Sequence, residues 1–112
     1  MKDTTYYDNE NDILALHHGF SPDESFKANV DAGDLILDIS TKMRVRGIEI
    51  LNASAFLKEF GITAGMLSHM TGAEFSGAIK PEGIVVGLVV KSPLNPAGVT
   101  AKVVAIGAAV GA

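Results

Sequence analysis

The hydrophobic pattern of this chain changes period near residue 52. Before that point, apolar residues recur in short runs: "TTYY" (4–7), "DILALHH" (12–18), "SFKANV" (25–30), "LILDI" (35–39) and "VRGIEIL" (45–51). In the third run Phe26, Ala28 and Val30 alternate with Ser25, Lys27 and Asn29. That is the period of a half-buried strand, whose successive side chains point to opposite faces. Turn formers divide the runs: "DNEN", "GFSPDE" with Pro22, "DAGD" and "STKMR". The pattern predicts an antiparallel β-meander, with hairpins around residues 8–11 and 40–44.

From residue 52 the period is about 3.6 residues. Ala53, Phe56, Leu57 and Phe60 fall at i, i+3, i+4 and i+7 and form one apolar stripe, with Lys58 and Glu59 on the wet side. Asn52 suits the N-cap, where its side-chain oxygen can accept a first-turn amide. Gly61 suits the left-handed residue after the helix, and Ile62 then provides the apolar contact of a Schellman motif. A second, shorter helix is predicted with Thr63 as its cap, Met66, Leu67 and Met70 turned inward, and Gly72 as its stop. Three further strands follow: 73–79, 84–90 and 99–106. "KPEG" separates the first two, and the two prolines and Gly98 of "SPLNPAG" predict a wide loop before the third. The small residues of the tail, 107–112, are predicted to fray.

The expected fold class is α+β, a mainly antiparallel sheet with one or two short helices in the middle of the chain. One domain is expected over 1–112, with the meander and first helix at 5–60. The short helix and a three-stranded segment would occupy 61–112. Composition fits a folded domain of this size: 112 residues, 47% hydrophobic and 20% charged.

A net charge of −4 argues against non-specific binding to nucleic acid or anionic membranes. With no cysteine, disulfides, thiolate catalysis and cysteine-ligated metals are excluded. "MKDTTYYDNEND" has no apolar run of the signal-peptide kind, and "GIVVGLVV" and "VVAIGAAVGA" are too short to span a bilayer as helices. A soluble, cytoplasmic protein without a cofactor is the expectation.

The strings "YYDNENDILAL", "DAGDLILDIS" and "RVRGIEILNASAFL" resemble a small prokaryotic family, the domain of unknown function 2283. The matching positions are Tyr7, Asp8, Asp12, Leu14, Asp38, Gly47, Glu49, Ala53 and Ser54, within residues 5 to 60. Two features depart from the family pattern. Members usually carry glycine where Met43 stands, which implies a different turn geometry here, and they rarely carry paired histidines like His17 and His18. The resemblance implies no activity. It implies company with genes resembling small toxins, and hence an antitoxin-like or partner-binding role.

Strand parity puts Val45, Gly47, Glu49 and Leu51 on one face of the fifth strand, with Arg46, Ile48 and Ile50 on the other. Pairing Ser40 with Arg44 sets Asp38 opposite Arg46, Ile36 opposite Ile48 and Leu35 opposite Glu49. Both faces then read as largely apolar, so each calls for a covering layer or a partner chain. Glu49 has three readings. It is an architectural carboxylate that accepts helix amides or pairs with a cation; a buried general acid or base; or a metal ligand beside His17 or His18. The two histidines point to opposite faces, so a metal would need His69 or a carboxylate to converge with one of them. Lys42, Arg44 and Arg46 form a basic stripe, either solvated or holding an acidic partner or phosphate. Ser54 lacks the strained elbow of a nucleophilic serine, and neither glycine-rich run has the lysine-serine ending of a phosphate loop.

The strand "IVVGLVV" is apolar on both faces, and Ile84, Val85, Val86, Leu88, Val89 and Val90 are the expected interaction residues. Sheet packing or strand pairing between copies would cover them, unless the strand lies at the centre of the monomer's own sheet. Two functions follow. The preferred one is a non-enzymatic interaction module, homo-oligomeric or the antitoxin-like partner of a second small protein. The alternative is a small hydrolase or metal-binding protein using Glu49 with His17, His18 or Asp38.

Overall fold

The computed structural model describes residues 3–105 and the backbone of 108–110. Five strands come first: β1 (Thr4–Asp8), β2 (Ile13–His17), β3 (Phe26–Ala32), β4 (Leu35–Ser40) and β5 (Val45–Leu51). Helix α1 (Ala53–Leu57), a 3-10 turn (Lys58–Phe60) and helix α2 (Ala64–Ser68) follow. The chain then forms β6 (Gly72–Lys80), β7 (Gly83–Ser92), β8 (Asn95–Ala105) and β9 (Ala108–Val110). A six-stranded antiparallel sheet has the order β1-β2-β5-β4-β3-β9, and β6-β7-β8 make a second sheet. The fold class is therefore α+β and mainly antiparallel sheet, with two short helices mid-chain, as the periodicity predicts.

One core lies between the two sheets. Leu14, Leu16, Leu37, Ile48 and Ile50 of the first meet Phe75, Val86, Leu88 and Val90 of the second, with Ala53, Leu57, Ile62 and Leu67 closing one side. Each fully buried leucine or isoleucine is worth about 1.5–3 kcal/mol.

The helical region keeps its predicted stripe, and its stop has the Schellman form. Gly61 sits at φ 83°, its amide donates to the Lys58 carbonyl, and the Ile62 amide donates to Leu57. Ile62 is fully buried, and Thr63 caps α2 by accepting the Met66 amide. The start of α1 differs from expectation. Asn52 adopts a left-handed conformation, φ 51°, and makes no side-chain cap. Its side chain turns instead to Asp34.

Four other expectations are corrected. The Ser40 amide does donate to the Arg44 carbonyl, but Ile39 pairs with Val45 and Asp38 with Gly47. Arg46 is thus the extra residue of a β-bulge, and the shift turns Val45, expected on the face of Glu49, into the core. Ile36, rather than Leu35, then lies opposite Glu49. Met43 takes φ 58°, so the turn keeps the left-handed geometry that suits glycine. "SPLNPAG" forms a tight turn at Pro93-Leu94 rather than a wide loop, since Ser92 pairs with Asn95. Pro96 lies in β8, an edge strand, where a missing N–H is tolerated. Lastly, Ala108–Val110 of the tail pair with β3; the remainder of the expected frayed segment lies outside the described residues.

The interaction strand is also placed differently. β7 is the middle strand of its sheet, with β6 and β8 occupying both hydrogen-bonding edges. Ile84, Val86, Leu88 and Val90 are buried in the core, while Val85 and Val89 face the other way and are half-buried. Strand pairing between copies through β7 is therefore closed. The apolarity of "IVVGLVV" reflects a central position in the monomer.

Candidate functional site

The six-stranded sheet is held by carboxylate clusters at its two ends. At the helix end, Asp12 in the β1–β2 turn adopts φ 56° and faces the first turn of α1. Its carboxylate accepts the Tyr7 hydroxyl (2.6 Å), the Ser54 amide (3.0 Å) and the Ser54 hydroxyl (2.7 Å). Its own carbonyl accepts the Ala53 amide. A carboxylate from another segment thus does the capping that Asn52 does not. Burial pushes the Asp12 carboxyl up, but the bonds from Tyr7 and Ser54 outweigh it and hold the group below the usual range. Burial first, and then Asp12, push the Tyr7 hydroxyl up to about 12.

At the opposite end, the Glu24 side chain is fully buried and its carboxylate is gripped by Arg44 through two bonds of 2.8 and 2.6 Å. The Ser40 hydroxyl and the Ser21 amide also donate to it. Arg44 is the main cause of a Glu24 carboxyl held far below the usual range, against the opposing effect of burial. Arg46 donates to the Gly19 and His18 carbonyls, and Lys42 pairs with Asp23. The basic stripe is therefore built into a clasp on the loop 19–24. Its charges engage this chain's own acceptors.

Between these ends lies the outer face of the sheet, which no described element covers. Its central rung runs Tyr6–Ala15–Glu49–Ile36–Asp31 across β1, β2, β5, β4 and β3. The next rung runs Thr4–His17–Gly47–Asp38–Asn29. All of these residues except Asp31 and Gly47 line a depression of about 360 Å³. Tyr6 is 65% exposed, Ala15 and Ile36 are half-buried, and Asp31 and Glu49 are exposed.

His17 and Asp38 form a locked pair on this face. The ring Nδ1 accepts the Gly19 amide at 2.7 Å, so the proton of the neutral ring resides on Nε2. Nε2 points to the Asp38 Oδ2 at 3.7 Å, and Asn29 donates to Oδ1 of the same carboxylate. Gly47 lies under the pair, and a Cβ there would come within 2.6 Å of the His17 ring and 2.7 Å of the Asp38 carboxylate. The face admits this pair because residue 47 has no side chain. With its Nδ1 lone pair engaged, His17 is not presented as a general base.

Glu49 is neither buried nor amide-bound. It is exposed, and no described residue hydrogen-bonds or ion-pairs with its side chain. The architectural and buried-acid readings are both overturned for one reason: strand parity turns Glu49 outward, away from the core and from α1. His18 leaves the face altogether. It stacks on Phe75 at 4.1 Å, contacts the Phe75 carbonyl through Nε2, and lies 3.2 Å from Asp3 through Nδ1. His69 is on α2's end, bonded to the Gly65 carbonyl. Among the described residues, no three histidine, aspartate or glutamate side chains gather closely enough for a metal ion.

Sequence reasoning missed the two clusters and the Glu24 clasp in particular. One signal for the first was available, since Tyr7, Asp12 and Ser54 all belong to the string that carries the family resemblance. The second joins residues about 20 apart through a loop whose path the sequence does not reveal.

Residues 5–54 match the family model described as "Protein of unknown function (DUF2283)". The match takes in the Asp12 staple, the Glu24 clasp and the whole of the central rung, and leaves the second sheet outside it. No curated protein and no solved structure matches the chain. Among the described residues, no helix is long and apolar enough to cross a membrane.

Proposed function

We propose that this protein, with its DUF2283-like β-meander, is a non-enzymatic protein-interaction module that docks through the open face of the six-stranded sheet. One observation carries the reading. The central rung places Tyr6, Ala15 and Ile36 on an uncovered face beside Glu49, a residue of the family-like string whose side chain has no hydrogen-bond or ion-pair partner among the described residues. The other matched polar residues, Tyr7, Asp8, Asp12, Asp38 and Ser54, are accounted for by hydrogen bonds within the monomer. An antiparallel sheet keeps one face wet at little cost when that face is polar; an apolar centre is favoured where something covers it. The family resemblance, with its neighbouring toxin-like genes, supports an antitoxin-like role toward a second small protein.

Affinity capture from the host with wild type and with an Ile36→Asp variant tests this reading. A protein retained by wild type and lost with Ile36→Asp is the expected result, provided circular dichroism shows both chains folded. Equal retention by both would move the docking surface elsewhere.

A further inference from the structure

We infer that the open face is built to receive a basic amphipathic helix laid across the strands, with cations about seven residues apart bracketing an aliphatic residue. The inference rests on the docking reading above and names the partner's chemistry.

Charge decides first between a second copy and a different partner. The face carries Asp31, Asp38 and Glu49, and its described basic groups are His17, already directed at Asp38, and Lys27 at the corner beside Met43. Pressing two such faces together would oppose carboxylates with carboxylates in a chain whose net charge is −4. A partner bearing cations removes that repulsion and gives Asp31 and Glu49 the counter-ions they lack within the described residues.

Spacing then decides the partner's shape. Glu49 and Asp31 flank Ile36 on the central rung, on strands two apart in the sheet. Two strand spacings are about 10 Å. On an α-helix, residues i and i+7 are separated by about 10.5 Å on the same face, with i+3 and i+4 between them. A helix crossing the strands would therefore set cations over Glu49 and Asp31 and an aliphatic side chain over Ile36. An extended strand does not offer this match, since same-face residues recur at about 6.7 and 13 Å. Beyond Glu49, Ala15 leaves a shallow place on the rung, and Tyr6 closes it with an amphipathic ring.

The test uses the full chain and a synthetic helical peptide of about 20 residues, some 30 Å long. Its lysines lie seven apart with leucines midway, and a control peptide carries glutamates in their place. Backbone amide shifts locate binding, and fluorescence anisotropy gives affinity at low salt and at about 0.3 M. The inference expects shifts centred on Ala15, Ile36 and Glu49. It expects a loss of roughly tenfold in affinity for Asp31→Asn/Glu49→Gln, and a similar loss at the higher salt. Asp31→Lys/Glu49→Lys should prefer the glutamate peptide.

If both peptides bind this face equally, the basic-partner inference fails while the docking reading stands. If neither shifts the face, or the shifts gather only on the second sheet, both fail. Unchanged circular dichroism of the variants separates each outcome from misfolding.

Discussion

Two carboxylates of the family-like string, Asp12 in the β1–β2 turn and Glu49 on β5, have opposite surroundings. Asp12 accepts hydrogen bonds from Tyr7 and from both the amide and the hydroxyl of Ser54. Glu49 is exposed and accepts from no described residue. Asp12 joins a hairpin turn to the start of a helix, so its loss is felt by the fold. The Glu49 side chain can be removed without breaking any hydrogen bond or ion pair among the described residues, so a reason for its presence is to be sought in a partner. The contrast separates residues that build the module from residues it offers to a partner.

The largest effect is expected at the clasp. Glu24→Gln removes a fully buried carboxylate that Arg44 grips and that lies 3.8 Å from the buried Arg46, and should lower the unfolding midpoint by more than about 10 °C. Next comes Asp12→Asn, which weakens the charge-assisted cap and the Tyr7 bond. A cost of about 2 kcal/mol in chemical denaturation is expected.

Acid titration sharpens the same contrast. The Asp12 and Glu24 carboxyls lie below their ordinary range in the folded chain, so on acidification the unfolded chain takes up protons first. The stability they provide is whole above about pH 5 and lost progressively below about pH 4.5. Asp12→Asn should make that loss shallower.

Tyr7→Phe should cost about 1 kcal/mol and change the alkaline limb. With the folded hydroxyl pushed up to about 12, the unfolded chain releases its proton first as pH rises. The Tyr7 contribution is therefore complete below about pH 10 and lost between about 10 and 12. The variant should lack that phase in denaturation measured across the range. Met43→Gly should raise stability by about 0.5–1 kcal/mol, because it relieves a left-handed conformation. Glu49→Gln is expected to do least, changing stability by no more than about 0.5 kcal/mol. A loss as large as that of Asp12→Asn would dissolve the distinction between the two carboxylates.

Much of the fold was legible because it rests on local period and local chemistry. The strands of the meander, the apolar stripe of α1, the Gly61–Ile62 stop and the Thr63 cap all follow from residues near one another in sequence. What escaped were long-range effects. The bulge at Arg46 shifts the register that a simple hairpin count would give, and beside it the Arg46 guanidinium bonds to the 18–19 carbonyls, which lie far away in sequence. Asn52 looked like the cap, but Asp12, 42 residues away from Ser54, has that place. "IVVGLVV" read as an interaction strand because it is apolar on both faces; its edges are filled by the adjacent β6 and β8, while the sheet that covers its buried face comes from residues 4–51, too far away in sequence for a pattern to pair. The site was half legible. Parity put Glu49 and Gly47 on one face, but the direction of that face, outward, became visible only once the second sheet was seen to cover the other.

The affinity of the lysine-bearing helical peptide for Glu49→Gln and Asp12→Asn, measured below both unfolding midpoints, tests the central claim most directly. The account predicts weaker binding for Glu49→Gln with unchanged stability, and near wild-type binding for Asp12→Asn despite its lower midpoint. Wild-type binding by Glu49→Gln, or a loss of binding that follows stability in both variants, would contradict it.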